Sequence, residues 1–112
     1  LTMAYRIAGQ NQLAKEEAIK AEEFGYGWRD NIEELKKIID IYLALNDDVG
    51  LIPLYLKAIE LEPNNVQFWA SLAASYANLG QYDKTREAAM KVLELDPDSR
   101  EKIEEFLKTL PQ

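Results

Sequence analysis

The sequence predicts an all-α fold in which short antiparallel helices stack as a solenoid. Three observations carry this expectation. Apolar residues recur three and four apart along the chain, and no useful length alternates as a strand would. The breakers between apolar runs are short, so sequential helices must fold back on one another. Two blocks, AIELEPNN ending at Asn65 and VLELDPDS ending at Ser99, also place Pro63 and Pro97 34 residues apart.

The spacing predicts helices near 1–8, 12–24, 32–45, 49–61, 66–79, 83–95 and 100–110. Leu35, Ile38, Ile39, Tyr42 and Leu45 form one apolar stripe, and Leu51, Leu54, Tyr55, Ala58 and Ile59 form the next. Trp69, Leu72, Ala73 and Tyr76 continue the pattern, followed by Ala88, Ala89, Val92 and Leu93. Asn46-Asp47-Asp48, Pro63-Asn64-Asn65, Gly80-Gln81 and Pro97-Asp98-Ser99 separate these runs. Gly and Asn tolerate the positive φ that ends a helix, and Asp or Ser oxygens accept the free amides that begin one. Ser99 is expected to cap a final helix whose Ile103, Phe106, Leu107 and Leu110 face inward. Glu101, Glu104, Glu105 and Lys108 then cover its outer side, as a terminal capping helix requires for solubility.

Laying residues 66–99 under 32–65 tests the spacing. Trp69 falls under Leu35, Leu72 under Ile38, Tyr76 under Tyr42 and Leu79 under Leu45. Val92 falls under Ala58, Leu93 under Ile59, Leu95 under Leu61 and Pro97 under Pro63. A helical hairpin of 34 residues is therefore written more than once.

This hairpin resembles the tetratricopeptide repeat, a 34-residue helix-turn-helix with the pattern W-x2-L-G-x2-Y, then A-x3-F, then P. Residues 66–99 match through Trp69, Leu72, Tyr76, Gly80, Tyr82 and Pro97, with Ala73 in place of the usual Gly. Thr85, Ala89 and Val92 depart mildly from the small and aromatic positions of the second helix. Residues 32–65 keep Leu35, Ile38, Tyr42, Tyr55, Ala58 and Pro63, but Leu51 replaces a small residue. Pro53 stands near the start of the second helix there and predicts a shifted or kinked start, not a lost helix. In the same register Leu1, Tyr5, Gly9, Ala14, Ala18 and Ala21 read as a divergent repeat over 1–28, entered part-way through its first helix. Residues 29–31 are then an insertion, and 100–110 the cap. The resemblance covers essentially the whole chain and implies one domain, a tetratricopeptide-type α-solenoid of about three units.

Composition narrows the function. Twenty acids against 13 bases give a formal charge of -7, which repels phosphate backbones and anionic membranes, so no nucleic-acid partner is expected. The chain has no Cys and no His, which removes disulfides, thiolate nucleophiles, Cys/His zinc sites and Ser-His-Asp triads. No enzyme activity, cofactor or metal is expected. No apolar run approaches the ~20 residues of a membrane span, and the compartment, cytoplasmic or extracytoplasmic, is left open. The chain starts at Leu1 without an initiator Met, which suggests a fragment or a processed chain.

Tempting catalytic motifs have plainer explanations. Ser99-Arg100-Glu101-Lys102 spells S-x-x-K, but Ser99 is better read as a helix cap and the companion motifs are lacking. Asp96-x-Asp98 opens no calcium loop, because Glu101 stands where Gly is needed and Leu107 where the bidentate Glu belongs. Acid pairs such as Glu33-Glu34 and Glu104-Glu105 read as solvated faces with Lys partners four residues on.

The resemblance implies that ligands meet the first helices of each hairpin on a concave groove. By register this groove holds Met3, Arg6, Glu33, Lys36, Asp40, Leu43, Gln67, Ala70, Ala74, Ala77 and Asn78, extended by Glu101, Glu104 and Lys108. Some family members grip a peptide's terminal carboxylate with Lys and Asn. Here Lys36 fits, but Asp40 and Ser71 replace Asn, and Glu101 and Glu105 stand where bases belong, which argues against such a clamp. Ala70, Ala74 and Ala77 form a small-residue strip that either receives an apolar ligand or lets neighbouring helices approach. Trp28, between glycines, reads as a loop residue folded onto the hairpin edge, or as a surface anchor if exposed.

These features favour a non-catalytic protein- or peptide-binding scaffold, monomeric or weakly oligomeric. The alternative is an accessory repeat domain of a larger enzyme or membrane protein, such as bacterial envelope glycan machinery. An RNA reader built from a related 35-residue repeat is disfavoured by period and charge.

Overall fold

The computed structural model describes residues 2–23 and 30–111, with side chains over 10–20 and 30–111. Six α-helices follow one another among the described residues: α1 (Thr2–Glu23), α2 (Ile32–Ala44), α3 (Asp48–Leu61), α4 (Val66–Asn78), α5 (Tyr82–Leu95) and α6 (Arg100–Lys108). A 3-10 turn, Pro97–Ser99, joins α5 to α6. Each helix packs on the next, so the fold is an all-α solenoid of helix pairs.

The turns show why the chain folds this way. Between α2 and α3, Asn46 adopts φ 54°, and the Asp47 amide donates to the Tyr42 carbonyl at 3.1 Å. Between α4 and α5, Gly80 adopts φ 76°, and the Gln81 amide donates to the Tyr76 carbonyl at 2.9 Å. Both are left-handed C-terminal caps that satisfy the last helical carbonyls and reverse the chain. Every residue of the second stands 34 positions after its counterpart. The next turns repeat too: the Glu62 amide donates to the Ala58 carbonyl and the Asp96 amide to the Val92 carbonyl, each at 2.8 Å.

The core recurs at the same offset. Ile39 and Ala73, Tyr42 and Tyr76, Leu51 and Thr85, Leu54 and Ala88, Tyr55 and Ala89, and Ala58 and Val92 are all buried. Residue size changes within several pairs, while the inward direction does not. Buried Thr85 remains satisfied because its hydroxyl donates to the Gln81 carbonyl at 2.9 Å, one helical turn back.

Three local expectations need correction. The helices expected near 1–8 and 12–24 are one helix, α1. A lone Gly inside a helix costs only about 1 kcal/mol relative to Ala, and Gly9 has no left-handed cap of the Asn46 or Gly80 kind to end it. Ser99 makes no side-chain cap, and its hydroxyl instead donates to the Asp96 carbonyl at 2.7 Å inside the 3-10 turn. Pro53 sits inside α3 without delaying its start, since the helix begins at Asp48. Pro53 and Val49 are both exposed, so the carbonyl left without a proline amide faces water.

Candidate functional site

The first helices of the two hairpins, α2 and α4, stand side by side with α3 behind them. Asparagine caps set where each begins. The Asn31 side-chain oxygen accepts from the Glu33 and Glu34 amides at 3.0 and 3.3 Å, and Asn65 accepts from the Gln67 amide at 3.1 Å. Both are the N-cap geometry that satisfies first-turn donors. Because the caps lie 34 residues apart, α2 and α4 present equivalent positions to the same side of the molecule.

Between them lies an open groove of about 410 Å³, bordered by Lys36, Asp40, Leu43, Gln67 and Ser71. Its floor is Ile39, Tyr55 and Phe68, all buried, and Leu43 is 47% exposed at its edge. Among the described residues, neither Lys36 nor Asp40 has an ion-pair partner, although they stand one helical turn apart. The groove therefore offers an ammonium, a carboxylate, an amide and a hydroxyl around an apolar base.

The floor has its own electrostatics. Burial, followed by the negative fields of Asp48 and Asp40, pushes the Tyr55 phenol above its ordinary value, while a hydrogen bond with Ser71 works in the opposite direction. Tyr55 therefore stays neutral and acts as a polar point within an apolar surface.

Of the residues expected in a groove, Lys36, Asp40, Leu43 and Gln67 line this one. Glu33 is exposed in the first turn of α2, and Glu101 is exposed in the first turn of α6. Asn78 donates its side-chain amide to Asp48 at 3.4 Å, which ties the end of α4 to the start of α3. The alanine strip divides, with Ala74 exposed and Ala70 and Ala77 half-buried. Met3, Arg6 and Trp28 lie outside the described side chains.

Sequence reasoning missed Ile39, Tyr55, Asn65 and Phe68 as groove residues. Tyr55 belongs to an apolar core stripe, and it also forms the floor between two first helices. It also missed a second, larger groove of about 570 Å³ on the opposite side, between α3 and α5. The available signal was Leu56 and Met90, which fall outside the core stripes and are 46% and 54% exposed.

Among the described residues, no group of three or more acidic side chains is arranged to hold a metal ion. No helix among them is long and apolar enough to cross a membrane.

An all-α solenoid of 34-residue hairpins, with left-handed turns and asparagine caps at fixed offsets, defines a helical-repeat protein. The Tetratricopeptide repeat family model matches residues 54–87, from within α3 through α4 into α5. A relative, Small glutamine-rich tetratricopeptide repeat-containing protein 2 of Mycosarcoma maydis, is 32% identical over 65 residues, which cover 58% of this chain. The chain spans 18% of that protein's length. Over residues 54–87 the chain is thus similar to the tetratricopeptide repeat.

Proposed function

We propose that this chain is a non-catalytic binding module that takes an extended peptide of a partner protein on the face formed by α2 and α4. Repeats of this family generally mediate protein–protein interaction. The observation that carries the reading is the pairing of Lys36 and Asp40, without ion partners among the described residues, beside half-exposed Leu43 and above Tyr55 and Phe68. An apolar base supplies contact area, and polar groups at its edge set register, which suits a peptide with one apolar anchor between polar groups. Asp40 in place of Asn disfavours a terminal carboxylate at that point. The match to 18% of a longer relative supports a role as one module of a larger protein.

The test is selection of peptides from a random display library on the 112-residue chain, followed by titration of the best binder. Asp40→Lys is compared with Glu60→Lys, which makes the same charge change at an exposed position on α3. Weaker binding with Asp40→Lys alone supports the reading. Equal binding by both variants, or enrichment of no peptide, contradicts it.

A further inference from the structure

The groove between α3 and α5 is independent of the peptide-binding face, and its outer wall carries an ordered charge pattern. Lys84, Glu87, Lys91 and Glu94 follow at intervals of three, four and three, so they form one stripe along α5. All four are exposed and border the groove, whose floor includes Trp69 and Leu72 and whose rims are Leu56 and Met90. The intramolecular links on this stripe are loose. Lys91 and Glu94 are 3.3 Å apart with both side chains at least half exposed. Lys84 lies 5.7 Å from the centre of the Tyr76 ring, and Lys91 lies 5.9 Å from that of Trp69. Glu87 has no ion-pair partner among the described residues.

We infer that this face binds a second copy of the chain, with α5 packed antiparallel on α5 about a two-fold axis that meets the outer face of α5 at the height of buried Ala89. The stripe is complementary to itself when reversed. In that register Lys84 meets the partner's Glu94 and Glu87 meets the partner's Lys91, and each contact occurs twice. A two-fold interface requires this kind of self-matching pattern. Exposed Met90 lies on the flank of the stripe away from buried Ala88, so the two copies' methionines flank the same side of the seam. The stripe is locally neutral, so the net charge of -7 is not concentrated where the copies meet. Complementary charges fix the register, and burial of Met90 and Leu56 supplies the attraction.

Sedimentation equilibrium of the 112-residue chain tests this directly. Wild type is expected to show a reversible monomer–dimer equilibrium. Lys91→Glu and Glu87→Lys each place like charges opposite one another at two points, and each weakens dimerisation by about tenfold or more. An equimolar mixture of these two variants restores the complementarity and recovers dimer to within about threefold of wild type. Circular dichroism checks that the variants remain folded, and Met90→Asp serves as the test for any reversal that lowers the melting temperature. A wild type that stays monomeric at every attainable concentration overturns the proposal and leaves the groove to another partner. So do variants that associate like wild type, or a mixture no better associated than its components.

Discussion

The Lys15 ammonium on α1 lies 2.6 Å from the carboxylate of Asp47, the residue that caps α3. One acidic side chain thus joins two parts of the solenoid. Its Oδ2 holds Lys15, while its Oδ1 accepts from the Gly50 amide at 3.0 Å. Lys15 also stands 4.9 Å from the centre of the Tyr42 ring.

This arrangement predicts a specific pH dependence. The hydrogen bond from Lys15, followed by the Gly50 amide, holds the Asp47 carboxyl below its ordinary value of 3.8. The hydrogen bond to Asp47 holds the Lys15 ammonium above its ordinary value of 10.5, against some burial. A depressed acid contributes stability above its unfolded value and loses it as pH falls through the folded one; a raised base contributes below its unfolded value and loses it as pH rises through the folded one. Asp47→Asn keeps a capping side chain but loses the ion pair, so it is expected to cost about 1 kcal/mol near neutrality. The gap in melting temperature from wild type should close as pH is lowered from about 6 to about 2. A gap independent of pH across that range would remove the ion pair from the account.

Gly50→Ala should destabilise, although Ala is the better helix former by about 1 kcal/mol. A Cβ on Gly50 would lie 2.5 Å from the Tyr42 ring and 2.7 Å from the Asp47 carboxylate. Tyr42 is buried and cannot swing aside, so overpacking wins, with a net loss of about 1–3 kcal/mol. Urea denaturation reads the sign, and a more stable variant would show that the Tyr42 ring can move.

Tyr76→Ala removes a buried aromatic whose backbone carbonyl also accepts the Gln81 amide in the turn to α5. A loss of about 3–5 kcal/mol is expected from the side chain alone. An unchanged melting temperature would mean that the ring does not hold α4 in place.

Ala74→Arg separates binding from packing. Ala74 is exposed, whereas Ala70 and Ala77 of the same strip are half-buried. The substitution should leave the melting temperature nearly unchanged and abolish binding of a peptide selected on the wild type. Ala77→Arg, made in parallel, should lower the melting temperature instead. If Ala74→Arg unfolds the chain, the whole strip serves packing.

The sequence carried the hairpins because their turn chemistry is local. Asn46 and Gly80 take positive φ, Asn31 and Asn65 cap, and each acts within a few residues of its own position. Apolar spacing then located the core, including Tyr42, Tyr55 and Tyr76. What it did not carry depends on distant contacts or on competition between similar local states. Nothing near Gly9 distinguishes a glycine that ends a helix from one that continues it. Ser99 had two acceptable uses for its hydroxyl, and the 3-10 turn selected the other one. The Lys15–Asp47 link joins residues 32 positions apart, outside the repeat period. The groove was legible only in part, because Lys36, Asp40 and Gln67 are placed there by the resemblance to a known repeat, whereas Tyr55 and Phe68 join them only once three helices are packed.

Amide chemical-shift mapping during titration with a peptide selected on the wild-type chain decides whether the α2–α4 face receives a peptide. The largest shifts are expected at Lys36, Asp40, Leu43, Gln67 and Ser71, with little change at Leu56 and Met90. Shifts centred on Leu56, Trp69 and Met90, with the α2–α4 face unchanged, would contradict it.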